Sequence, residues 1–138
     1  MGYNIDLVAA RFRIKAEKRK AVMEAIVDWL SEHRWLSWIT KEEVEARYAE
    51  SDVFGMFRAC RWSVASDDSG DLVDIEFCGE KLGDDESFFR AIAPHVESKS
   101  YLQIRGEEGH AWRWYFLDGR LHDDNIKVTW DSDSVLDL

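Results

Sequence analysis

The stretch Ala111-Trp112-Arg113-Trp114-Tyr115-Phe116, followed closely by Asp118-Gly119, most narrows what this chain can become. Successive side chains of a strand point to opposite faces, so Trp112, Trp114 and Phe116 fall on one side. Asp-Gly supplies two residues that tolerate positive φ, which a two-residue hairpin requires. Beyond the turn, Ile126, Val128 and Trp130 alternate again. The spacing predicts strands over 110–117 and 120–130. A strand over 99–106 precedes them, joined through Glu107-Glu108-Gly109.

The same reasoning orders the rest. Val8, Ala10, Phe12 and Ile14 alternate with Ala9, Arg11, Arg13 and Lys15, which predicts a strand over 5–15. Val22, Ile26, Trp29, Leu30 and His33 form one stripe at helical spacing, giving a helix over 16–33. Thr40 and Glu43 are placed for a capping box, with Ile39 and Val44 as its staple, at the start of a helix over 41–49. Ser51 or Asp52 caps a further turn or two through Val53–Phe57. Strands follow at 61–66 and 72–79, around the turn Asp67-Asp68-Ser69-Gly70-Asp71. Asp84 is the predicted N-cap of a helix over 85–93, which Pro94 ends. The order β-α-α-β-β-α-β-β-β predicts an α+β fold: a largely antiparallel sheet of five to six strands with two to three helices on one face. At 138 residues this is the length of one domain. No internal linker marks a boundary, and 131–138 reads as a frayed tail.

Charge is spread unevenly. Residues 1–69 carry 11 basic and 12 acidic side chains; residues 70–138 carry 7 and 16, so that nearly all of the net charge of −10 lies in the second half. That balance argues against a general nucleic-acid binder, which needs a basic face. It favours a basic partner, because a field of one sign attracts the other. No apolar run is long enough to cross a membrane, and the first residues lack the apolar core of a signal peptide, so the expected location is cytoplasmic. Cys60 and Cys78 are then expected as reduced thiols. A hairpin centred on Ser69 would nevertheless set them opposite one another, so a bridge between them is geometrically open.

The chemistry-bearing residue types form no recognisable grouping. His33, His95, His110 and His122 do not fall in a zinc-ligand pattern, and the acids lack calcium-loop spacing, so neither metal nor cofactor is expected. There is no nucleophile elbow and no phosphate-cradling loop. Gly79-Glu80-Lys81-Leu82-Gly83 carries a lysine, but Asp84, Asp85 and Glu86 would repel phosphate beside it. His110 and His122, near strand ends, are expected to approach each other across the last hairpin.

Residues 79–96, GEKLGDDESFFRAIAPHV, and 100–119, SYLQIRGEEGHAWRWYFLDG, resemble a group of small acidic bacterial proteins of uncharacterised function with ferredoxin-like α+β domains. The resemblance implies a bacterial or mobile-element setting and an immunity-like role. It carries no catalytic residue over.

The expectation is therefore a non-enzymatic binding protein that blocks a basic protein partner. Asp67, Asp68, Asp71, Asp74, Glu80, Asp84, Asp85 and Glu86 would supply the field, and Trp35 or Trp38 an aromatic anchor. One alternative is a small enzyme whose pocket between sheet and helices uses carboxylates with His110 or His122 as acid and base. Another is a self-associating module, such as a dimer through the sheet.

Overall fold

The structure, a computed structural model, describes residues 3–32 and 40–125. His33, Trp35, Trp38, Ile39, the strand continuation at 126–130 and the tail 131–138 lie outside the described residues.

The chain runs β1 (Ile5–Arg11), α1 (Arg19–Glu32), α2 (Lys41–Ala49), α3 (Val53–Ala59), β2 (Trp62–Ser66), β3 (Leu72–Phe77), α4 (Asp85–Ile92), β4 (Tyr101–Gly106), β5 (Ala111–Leu117) and β6 (Arg120–Asn125), with 3-10 turns at Ala16–Lys18 and Ala93–His95. All strand pairs are antiparallel, as an α+β fold predicts. The expected single sheet is divided, however. Four strands form one sheet in the order β1-β4-β5-β6, and β2 and β3 form a second, two-stranded sheet among the described residues. Among the described residues there are four α-helices, where two to three were expected.

Two bulges account for the division. In β1, Leu7 pairs with Ile104 and Ala9 with Gln103, which leaves Val8 unpaired. In the hairpin, Ala65 pairs with Asp74 and Ser66 with Leu72, which leaves Val73 unpaired. Bulges kink a strand and raise its twist. Val8 and Val73 line the same cavity of about 250 Å³ between β1 and β3. Among the described residues, backbone hydrogen bonds cross this seam only at its two ends. Ile14 and Leu72 exchange backbone hydrogen bonds at 2.9 and 2.8 Å, and at the other end Leu82 N–H donates to Tyr3 at 2.7 Å and Ile5 N–H to Glu80 at 3.1 Å.

The bulge in β1 also changes which side chains turn inward. The alternation places Val8 with Phe12 and Ile14, yet Val8 is 41% exposed while Ile5, Phe12 and Ile14 are buried. A one-residue slip moves a strand's side chains to the other face. The same effect decides the cysteines. Beyond Val73 the hairpin sets Trp62 opposite Phe77, and the Cys78 amide donates to the Arg61 carbonyl at 2.8 Å. Cys78 is level with Arg61, not with Cys60. Both thiols are free, Cys60 buried and Cys78 exposed.

Local signals are otherwise well matched. Asp118 and Gly119 take φ of 52° and 77°, the mirror-image turn that Asp-Gly favours. Thr40 Oγ1 accepts from the Glu43 amide at 3.1 Å, and Asp52 caps α3 through the Gly55 amide at 2.9 Å. Asp67 accepts from the amides of Ser69 and Asp71, closing the hairpin loop as an Asx turn. The α1 stripe Val22, Ile26, Trp29 and Leu30 is buried, as are Trp112, Trp114 and Phe116.

Helix α4 is the centre of the core. Phe88 meets Trp29 at 5.4 Å and Phe57 at 5.8 Å between ring centroids. Phe89 meets Trp62 at 4.9 Å, Trp114 at 5.5 Å, Phe116 at 6.2 Å and Phe12 at 6.4 Å, so one ring touches both sheets. Edge-to-face packing of this kind suits the aromatic quadrupole. Trp29 Nε1 donates to Ser87 Oγ at 2.9 Å, which ties α1 to α4.

Burial pushes the Cys60 thiol up to about 12, with Asp85 adding to the shift. Reaction in the native fold is therefore expected at the exposed Cys78 and not at the buried Cys60. Alkylation of the native protein, read by mass spectrometry, should label Cys78 alone, and both cysteines in denaturant, with or without prior reduction. Native labelling of both would contradict the burial of Cys60.

Candidate functional site

The acids expected to form a surface field divide into two groups. Asp71 Oδ2 accepts from the Arg13 guanidinium at 2.7 Å and its Oδ1 from the Ala16 amide at 2.8 Å. These contacts, the amide first, hold its carboxyl below the usual carboxylate range. Arg13 also pairs with Asp67 at 3.4 Å and Glu97 at 3.3 Å. Asp67 and Asp71 thus bind the hairpin loop to the chain after β1.

Asp85 is no part of an exposed face, being 3% exposed. Its Oδ1 accepts from Trp62 Nε1 at 3.0 Å, and its Oδ2 from an Arg61 terminal nitrogen at 3.0 Å and the Gly83 amide at 2.9 Å. The same guanidinium donates to the Lys81 carbonyl at 2.7 Å. A buried carboxylate is tolerated when paired and hydrogen-bonded, as this one is. Asp84, the expected cap, makes no side-chain capping bond. Sequence spacing could not reveal Asp85's role, since its partners arrive from β2 and from a loop.

Asp68, Asp74 and Glu80 are exposed, and the structure adds Asp6 and Glu76 to them. Asp74 and Glu76 stand on the outward side of β3, opposite Ala65 and Ser63. Trp62, Val64 and Ile75 on the other side are buried. Asp6 lies across the seam, with Glu76 on the wall of a cavity of about 310 Å³. Among the described residues no cation lies within ion-pair distance of Asp6, Asp68, Asp74, Glu76 or Glu80. Trp35 and Trp38, the expected anchors, lie outside the described residues.

Acid–base groups converge at one further place. Glu86 on α4 meets Asp123 on β6 carboxyl to carboxyl, and Arg90 donates to Glu86 at 3.2 Å and to the Leu121 carbonyl at 3.1 Å. Partial burial and then the Glu86 carboxylate push Asp123 from 3.8 up to about 6. The bond from Asp123, with help from Arg90 and Trp114, holds Glu86 below the usual range. The indole N–H of Trp114, 2% exposed, is nearby without a well-formed hydrogen bond. One shared proton explains both directions.

The histidines do not join this pair. His122 stands opposite Tyr115, while His110 stacks on Trp112 at 5.7 Å. They are not neighbours across the last hairpin, and His122 and Asp123 point to opposite faces of β6. Among the described residues no three His, Cys, Asp or Glu gather as a metal-ligand set. No described helix is long and apolar enough to cross a membrane.

Removing the Asp85 carboxylate leaves the Trp62 N–H and the Arg61 charge uncompensated. Asp85→Ala should cost about 3 kcal/mol in denaturant unfolding; a loss under about 1 kcal/mol would make these bonds peripheral. For Asp123 the folded pKa is raised, so its stabilisation is complete below the ordinary 3.8 and is lost as pH rises through about 6. Glu86, whose pKa is depressed, acts in the opposite sense and loses its contribution only as pH falls below the usual carboxylate range. The Tm advantage of the wild type over Asp123→Asn should therefore shrink between about pH 4 and 7. A constant difference would disprove proton sharing.

No protein-family model, no curated protein and no solved structure matches the chain, so its function has to be read from its own geometry.

Proposed function

We propose that the chain is a non-enzymatic binding protein that holds a basic protein partner against the acidic side of the β2–β3 hairpin. The observation that carries this is the stripe Asp74, Glu76 and Glu80, with Asp6 across the seam and Asp68 at the hairpin tip, all lacking an ion-pair partner among the described residues. Acids neutralised within the fold contribute little to a distant partner's approach, whereas unpaired ones on one side of a strand act together. The immunity-like role implied by residues 79–119 agrees with a partner's active surface being covered. Charge of this kind sets encounter rate and orientation, and an apolar anchor sets residence time. Trp35 and Trp38 are proposed for that second part.

The test compares the wild type with Asp74→Asn/Glu76→Gln/Glu80→Gln. Each is immobilised, exposed at low salt to extract of the cells that make it, crosslinked and read by mass spectrometry. Basic proteins should be captured by the wild type, lost from the variant and released by moderate salt. Capture that the three neutralisations leave unchanged would overturn the proposal.

A further inference from the structure

The outer face of the four-stranded sheet carries the opposite chemistry. Register sets Arg11 opposite Tyr101, Tyr101 opposite Tyr115, and Tyr115 opposite His122. These four side chains form one row across all four strands. Their neighbours in the strands, Leu102, Trp114, Phe116 and Leu121, are buried on the other face, so the row points away from the core. In the adjoining row Gln103 stands opposite Arg113. The Arg113 guanidinium lies 5.6 Å from the ring centroids of both Tyr101 and Tyr115. Arg105 and Arg120 are exposed on the same face, and among the described residues neither they nor Arg11 have an ion-pair partner. The face also holds two acids, Asp6 opposite Arg105 and Asp124 at 3.9 Å from Arg113.

We propose that this face binds single-stranded nucleic acid. Flat aromatic rings on adjacent central strands give bases a stacking platform, and the surrounding guanidinium groups meet the phosphates. Four strands span roughly 14 Å, room for about three nucleotides. A duplex hides its base faces and cannot use the rings. The expectation from net charge concerned the whole molecule; among the described residues the unpaired acids lie mainly on the hairpin, with Asp6 on β1 the exception, and unpaired guanidinium groups lie on the sheet. The surface adjoins the one proposed for a basic protein at Asp6 on β1, but it rests on the tyrosines and arginines of the sheet, so either proposal can fail alone.

The test is fluorescence anisotropy at low salt with labelled oligomers of about ten nucleotides, as single-stranded RNA, single-stranded DNA and duplex, with polyglutamate as competitor. Single strands should bind and duplex should bind more weakly; preference between RNA and DNA names the natural source. Tyr101→Ala/Tyr115→Ala should weaken binding about tenfold or more, while Tyr101→Phe/Tyr115→Phe, which keeps the rings, should retain it. Arg105→Gln/Arg120→Gln, at exposed positions that leave the core untouched, should weaken it and flatten its salt dependence. Absence of single-strand binding would overturn the proposal. So would equal binding of duplex, or binding unaffected by the arginine pair. Polyglutamate bound in preference to any oligonucleotide would assign the face to an acidic protein instead.

Discussion

The position of α4 rests on one buried carboxylate. Asp85 takes donors from the indole of Trp62, the guanidinium of Arg61 and the amide of Gly83. Those contacts fix how far α4 is rotated and advanced relative to the hairpin. Phe88 and Phe89 can then reach Trp29 and Phe57 on one side and both sheets on the other. Glu86, the next residue after Asp85, is carried to Asp123 by the same placement. With few charged groups inside, this one bears much of the specificity of the packing, since an apolar substitute would tolerate other rotations.

What could be read from sequence was local. The Asp118-Gly119 turn, the Thr40 cap and the α1 stripe are decided within a few residues, and the structure matches them. Features that depend on distant partners were not legible. Val8 and Val73 look like ordinary alternating strand residues, and each becomes a bulge only because of the strand opposite. The offset at Val73 moved Cys78 from the position opposite Cys60, where a hairpin centred on Ser69 would set it, to a place level with Arg61. Asp71 and Asp85 read as surface acids until Arg13 and Trp62, far off in the chain, claimed them. Composition counts acids without knowing which ones the fold neutralises.

Sorting by partner changes the meaning of the net charge. Asp67, Asp71, Asp85 and Glu86 are held by cations or donors inside the fold, whereas Asp74, Glu76 and Glu80 are not. Among the described residues Arg11, Arg105 and Arg120, on the four-stranded sheet, likewise have no ion-pair partner. A strongly acidic chain thus carries a face whose local sign is opposite to its total. At a Debye length of about 8 Å such regions act almost separately on whatever approaches them.

The order of synthesis gives the opened seam a further meaning. β1 precedes its ladder partner β4 by about a hundred residues, Ile5 facing Gly106. The hairpin next to it is available much sooner, but the bulges at Val8 and Val73 prevent a continuous ladder between them. β1 therefore cannot settle fully on β3 while the rest of the chain emerges. Two pins and an unpaired middle hold this strand beside the hairpin on one edge, while its other edge pairs with β4, which comes only in the last third of the sequence.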